Sequence, residues 1–292
     1  MARANAARAD RRRVLAGLGA IAPFALVGCA QTDTATAASL ASPGVARFPV
    51  AATFIEHMGT VVPDVTAATT FHSTLFNPAI MTERNPTPLR CYVDLSPGYL
   101  AFGSRANAPR AFFDHFCVLL EEYDPEALAV ALAAEGLPQN NPAFTLFADP
   151  DGIGVQFYQH PGGWFPTVVR GEPLVDGPAL VSPKGLEHVM LNVADVEASI
   201  AFYRRFFGPL DVRDDRAAWF VFPDTRLGLR PVPAGGTPGV DHIRVRVAGF
   251  DESDVAAALT AMGARVETIG REGAGVLRFT DPDGLKLELV AA

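Results

Sequence analysis

From Phe54 to its end the chain states one pattern twice, and that duplication limits the fold more than any other feature. Ile55-Glu56-His57-Met58-Gly59 returns 131 positions later as Leu186-Glu187-His188-Val189-Met190. Phe113-Asp114-His115 returns 127 positions later as Val240-Asp241-His242. Asp149-Pro150-Asp151-Gly152, followed by Gln156, returns as Asp281-Pro282-Asp283-Gly284, followed by Glu288, 132 positions on. Three landmarks at nearly one spacing define an internal repeat. Each copy must therefore be a unit of about one hundred residues with the same internal order, large enough to bury a modest core of its own.

That order reads as a mixture of strands and helices, an α+β chain. The Asp-Pro-Asp-Gly segments are tight turns, because proline presets φ and Asp-Gly supplies the positive-φ corner. After the second turn Leu285, Leu287 and Leu289 alternate with Lys286 and Glu288, which predicts a half-buried strand. In each copy a His-bearing strand leads to a helix. The clearest runs from Asp195 to Phe207, with Ile200, Tyr203 and Phe207 on one face and Gly208 as its stop. Short strands at Ala218–Phe222 and Leu227–Val232 follow. A second His-bearing strand and a second helix come next, Asp251 to Met262 before Gly263, with a counterpart from Asp124 to Glu135 before Gly136. The predicted division is 53–160 for the first copy, a Pro- and Gly-rich linker at 161–184, and 185–292 for the second.

The amino terminus reads as an address. Arg11-Arg12-Arg13 precede an apolar run from Val14 to Leu26, too short for the roughly 20 residues that span a bilayer. Asp10-Arg11-Arg12-Arg13-Val14-Leu15 resembles a twin-arginine export motif, and Leu26-Val27-Gly28-Cys29 is similar to a bacterial lipobox. These resemblances imply a signal at 1–28, lipidation at Cys29 and a Thr/Ala/Ser-rich tether over 29–52. They place the body at the cell envelope, with membrane contact only through the lipid. Removing residues 1–28 takes five arginines and one aspartate from 24 basic and 32 acidic residues, which leaves a net charge of −12. With no basic cluster outside the first thirteen residues, nucleic acid is not an expected partner. Cys91 and Cys117 sit in apolar, strand-like contexts that predict buried thiols rather than a disulfide.

Alternation along the strands places possible ligands. His188, Met190 and Asn192 oppose Val189, Leu191 and Val193. His242, Arg244 and Arg246 oppose Ile243, Val245 and Val247, and Lys286 and Glu288 oppose the leucines. If the apolar faces pack on the helices, His188, His242 and Glu288 share one concavity. Two imidazoles and a carboxylate form a facial set that leaves open positions on Fe(II), Mn(II) or Zn(II). The alternative is that each histidine is only a hydrogen-bonded structural residue. The first copy offers His57, His115 and Gln156, a weaker set because an amide oxygen carries no charge. Arg230, Arg244, Arg246 and Lys286 can line the second hollow and grip an anionic substrate, or else be solvated charges paired with the many acids.

The run His188-Val189-Met190-Leu191-Asn192-Val193-Ala194-Asp195, then Ser199-Ile200-Ala201-Phe202-Tyr203, Asp241-His242 and Phe279 through Glu288, resembles the vicinal oxygen chelate superfamily of glyoxalases, bleomycin-resistance proteins and type I extradiol dioxygenases. The resemblance covers nearly all of residues 53–292, with Phe71-His72 and Gln156 as looser matches in the first copy. It implies tandem domains, each of two βαβββ modules forming a cupped mixed sheet with helices outside and a metal site in the hollow. It also implies a small-molecule substrate that chelates through vicinal oxygens, and a metal loaded before export of the folded protein. A homodimer is open on this layout. The sequence departs from its relatives in two ways. Arg230 lies on the strand where lactoylglutathione lyases place a further carboxylate ligand. The approach to the last hairpin, Gly270 to Arg278 with Glu272 as its carboxylate, lacks the His and Tyr that ring-cleaving members use. Dioxygenase-like chemistry is the first expectation, lyase or isomerase chemistry the second, and metal-free ligand binding the rival from another class.

Overall fold

The two His-bearing strands of each copy lie side by side at the middle of a sheet, and everything else is arranged around them. The computed structural model describes residues 48–76, 80–83, 90–105, 108, 110–137, 139, 145–159, 168–170, 175–267 and 275–292. The expected signal and lipidation site at Cys29, most of the expected tether, Glu272 and parts of the expected linker lie outside these residues. The first copy runs β1 (Ala52–Val61), α1 (Val65–Leu75), β2 (Ile80–Glu83), β3 (Arg90–Asp94), β4 (Tyr99–Gly103), β5 (Phe112–Leu120), α2 (Pro125–Ala134), β6 (Leu146–Ala148) and β7 (Gly154–Tyr158). After β8 (Val168–Arg170), the second runs β9 (Pro183–Val193), α3 (Val196–Phe207), β10 (Val212–Arg213), β11 (Ala218–Val221), β12 (Arg226–Pro231), β13 (Gly239–Val247), α4 (Glu252–Ala261), β14 (Arg265–Glu267), β15 (Val276–Thr280) and β16 (Lys286–Ala291).

Each copy forms one mixed, eight-stranded sheet, in the orders β6-β7-β5-β1-β4-β3-β2-β8 and β10-β11-β12-β9-β13-β16-β15-β14. β8 comes from the stretch read as linker. It pairs antiparallel with β2 at the sheet edge, a three-residue strand too short to leave an alternating pattern. Both copies place their central strands in the same pairings, antiparallel for β1 with β5 and for β9 with β13. β16 then lies parallel to β13, so the strands bearing His188, His242 and Glu288 are consecutive neighbours.

Three of the four helices begin at the aspartates that the sequence marks as their starts, Asp124, Asp195 and Asp251. Asp64, Asp124, Asp195 and Asp251 are the N-caps of the four helices, each accepting first-turn N–H groups. Gly208 ends α3 at φ 86°, a conformation that disfavours a β-carbon. Phe206 is the more deeply buried aromatic at that end of α3, and Phe207 is only partly buried. Val189, Leu191, Val193, Leu287 and Leu289 are fully buried in the core. Burying each such side chain stabilises by about 1.5–3 kcal/mol relative to exposure.

The copies share that core, since buried apolar residues of both belong to one continuous cluster. The contacts that join them are reciprocal. Val50 N–H donates to the Phe206 carbonyl at 2.7 Å, and its repeat equivalent, Val181 N–H, donates to Leu75 at 3.0 Å. The first aspartate of each Asp-Pro-Asp-Gly turn does two jobs. One oxygen of Asp149 accepts from Asp151 and Ile153 N–H, and one of Asp281 accepts from Asp283 and Leu285 N–H. The second oxygen reaches the other copy: Tyr203 of α3 donates to Asp149 at 2.8 Å, and His72 of α1 meets Asp281 at 3.0 Å. All four residues are buried. The turns therefore hold the copies together as well as reversing the chain.

Candidate metal centre

Strand pairing brings together the three residues that alternation selected. Ligand-type atoms of His188, His242 and Glu288 all lie within 4.8 Å of one another, and all three residues are buried. The two Nε2 atoms are 3.1 Å apart, and His242 Nε2 lies 3.6 Å from Glu288 Oε1.

The residues that aim these rings come from a feature that alternation conceals. The β9–β13 register slips around Glu187 and around Asp241, each an extra residue opposite its partner strand. A β-bulge of this kind re-aims a side chain that strict alternation would send to the opposite face. Glu187 Oε2 consequently sits 2.5 Å from His188 Nδ1, and Asp241 Oδ2 sits 2.6 Å from His242 Nδ1. Burial alone would raise both acids, but His188 and Arg226 hold Glu187 down to about 2. His242, Arg230 and Lys286 likewise hold Asp241 well below the usual range. Ionised carboxylates only accept, so each Nδ1–H donates and each Nε2 turns inward. Burial lowers His188 to about 4, against the opposing pull of Glu187, so the ring is neutral at pH 7. Two Nε2 lone pairs aimed at one point suit a cation. Ligands at right angles with bonds of about 2.1 Å stand about 3.0 Å apart. The donor set therefore fits a divalent ion, with the carboxylates behind each ring in the role that orients metal-bound histidines.

Glu288 is fully buried, yet its neighbours outweigh burial. His242, Arg244 and Arg278 hold its carboxyl below the usual range. Arg278 Nε donates to Oε1 at 2.7 Å and Arg244 Nε donates to Oε2 at 2.6 Å, and each guanidinium adds a second, shorter bond through Nη2.

The expected cation set is divided. Arg230 Nη2 donates to Asp241 at 2.6 Å while its Nε donates to Asn192, and Lys286 meets Asp241 at 3.1 Å. Arg244 serves Glu288. Arg246 donates instead to the Asp224 carbonyl at 2.6 Å. Two further cations reach the site through strand pairing, which the sequence does not specify. Arg278 pairs directly across from Glu288 on β15, and Arg226 pairs across from His188 on β12, bridging to Glu187 while lying over the Trp219 ring at 4.6 Å. Trp219 packs edge-on to His188 at 5.2 Å and forms, with Met190 and Ala217, an apolar cluster of its own.

Residues 185–289 match the Glyoxalase/Bleomycin resistance protein/Dioxygenase superfamily. The second copy belongs to that superfamily. Solved structures share its architecture across both copies. The halotolerant catechol dioxygenase BphC matches with TM-score 0.58 at 18% identity, covering 83% of this chain and 87% of its own. The Mn(II)-bound glyoxalase from Novosphingobium aromaticivorans matches with TM-score 0.60 at 17% identity and 83% coverage of each chain. The 2,3-dioxygenase LapB from Pseudomonas sp. KL28 matches with TM-score 0.56 at 15% identity, covering 84% and 93%. At these identities the likeness is one of fold. No curated protein matches the chain.

The first copy repeats the frame with different side chains at the site. The same bulges place Glu56 at 3.0 Å from His57 Nδ1 and Asp114 at 3.1 Å from His115 Nδ1. His57 Nε2 meets Gln156 Oε1 at 3.2 Å, while its ring stacks on Tyr99 at 4.4 Å. His115 lies over Gly59, where a β-carbon would come within 2.0 Å of its ring. Tyr99 occupies the equivalent of Arg226, Cys117 that of Arg244 and Leu146 that of Arg278. Among the described residues of this copy, the ligand-type group is Glu56, His57 and Cys117, with Glu56 already bonded to His57. Cys91 and Cys117 are buried free thiols, as their contexts predicted.

Proposed function

We propose that this chain is a metal-dependent enzyme acting on a small oxygen-chelating substrate, with dioxygenase-like chemistry and its working site in the second copy. The observation that carries the reading is the convergence of His188, His242 and Glu288, each histidine backed by its own bulge carboxylate. A divalent Fe, Mn or Zn ion would be held by those three residues and would polarise two neighbouring oxygens of the substrate. Glu187 and Asp241 fix the tautomer and direction of the rings. Trp219 and Met190 supply an apolar wall that limits water. Beside them a cleft of about 660 Å³, lined in part by Asn192, Asp241 and Lys286, gives a small molecule a path to the rim of the site. The first copy is a degenerate partner that completes the shared core.

Lyase or isomerase chemistry is the second reading, supported by the likeness to a Mn(II)-bound glyoxalase. Export by the twin-arginine route and anchoring at Cys29 are part of the same proposal and rest on the terminal motifs alone.

Elemental analysis of the purified protein tests the metal. Wild type should carry close to one equivalent and Glu288→Ala far less. Equal, negligible metal in both would defeat the enzyme reading and favour metal-free ligand binding. Oxygen uptake by the metal-loaded protein with a panel of catechols then separates dioxygenase from lyase chemistry.

A further inference from the structure

We infer that the metal and a small ligand bearing a carboxylate or phosphate bind this site cooperatively, because Arg244 and Arg278 are shared between Glu288 and the ligand. The inference rests on the proposed metal site and names the substrate's charge. A carboxylate offers about four acceptor positions. Those of Glu288 face four N–H donors, two from each arginine. Glu288 can serve as a ligand only by giving up part of that clamp.

The clamp has a direction. Glu288 has no exposed side-chain surface, whereas the Arg244 and Arg278 side chains are 24% and 36% exposed. A molecule entering the hollow meets the guanidinium groups before the carboxylate. Each guanidinium now places Nε and Nη2 on a single oxygen of Glu288, and the same planar fork can grip an oxyanion. Among the described residues the site gathers Arg226, Arg230, Arg244, Arg278 and Lys286 against Glu187, Asp241 and Glu288, five cationic against three anionic side chains. A divalent cation adds to that excess, and an anionic ligand removes it. An oxyanion that draws the arginines toward solvent frees Glu288 for the metal, and a metal that takes Glu288 frees the arginines for the oxyanion. Thermodynamic linkage makes the two effects equal.

Isothermal titration of Mn(II) into metal-free protein, in chloride and in sulfate at matched ionic strength, reads the coupling without any assay of activity. Competition against a chelator in each buffer corrects for free sulfate binding Mn(II). Sulfate should raise the Mn(II) affinity of wild type by at least about five-fold, the lower end of ordinary coupling between sites. Arg278→Gln and Arg244→Gln should bind Mn(II) more tightly than wild type in chloride and lose the sulfate effect. Urea midpoints confirm that each variant is folded, and Arg278→Gln alone carries the test if Arg244→Gln is not. Mn(II) binding that ignores sulfate, or a sulfate effect that survives both substitutions, overturns the coupling and leaves the metal site standing. No Mn(II) binding in either buffer overturns the metal site and the coupling with it.

Discussion

Tyr203→Phe isolates one of the two bonds by which the turn aspartates reach the other copy. Phenylalanine keeps the ring and its packing against Phe202, Phe116 and Phe207, so the change removes only the hydroxyl that donates to Asp149 at 2.8 Å. Asp149 Oδ1 keeps its two turn bonds, while Oδ2 loses its partner in a residue only 6% exposed. A hydrogen bond to a charged group contributes about 1.5–3 kcal/mol net. For a folded unit of this size that lowers the melting temperature by about 3–12 °C. The loss should also depend on pH. Burial already raises the Asp149 pKa, and removing a donor that favours its ionised form raises it further. A carboxyl raised above its unfolded value contributes stability that is fully present below the unfolded pKa and lost as pH rises through the folded one. The deficit of the variant should therefore be larger at pH 7.5 than at pH 4. Urea titrations at the two pH values measure both effects. A deficit below about 0.5 kcal/mol at pH 7.5, or one that grows as pH falls, would refute the assignment of Asp149 as a charged inter-copy anchor.

Glu187→Gln should weaken metal binding by about 10–100-fold, with the fold retained, because it replaces the charged acceptor that orients His188 with a neutral amide; chelator competition reads this, and unchanged affinity would count against the role given to the bulge. His188 is held neutral, with its pKa lowered from 6.5 to about 4. Its contribution to the stability of metal-free protein is thus present above pH 6.5 and lost as pH falls through about 4, so the urea midpoint should drop over that window and drop less in His188→Asn. Gly59→Ala should destabilise by about 1–3 kcal/mol, since a β-carbon there meets the His115 ring, while leaving metal content at the second copy unchanged. Metal loss in that variant would show that the first copy takes part in binding.

Alternation and the repeat sufficed to put His188, His242 and Glu288 on one face, because a period of two fixes the face of every residue in a regular strand. The same rule hid Glu187 and Asp241, which it assigns to the opposite face. Only the register of β9 against β13 shows that each is an inserted residue whose carboxylate turns back toward its histidine. The Glu-His and Asp-His pairs, present in both copies, were the available signal. Arg278 and Arg226 were invisible for a different reason. Each becomes relevant through the residue it faces across a strand pair, and pairing partners are set by the sheet.

By itself the sequence determined the duplication, the helix caps, the turns and the difference between Glu288 and Gln156, all of which are local or periodic. The tertiary structure decided that the two Asp-Pro-Asp-Gly turns are also the clasps between the copies, through Tyr203 and His72, because those partners are brought together only when the cores merge. It also decided that Glu288 lies beneath two arginines, because a buried carboxylate draws its counter-charges from neighbouring strands whose register the sequence does not specify.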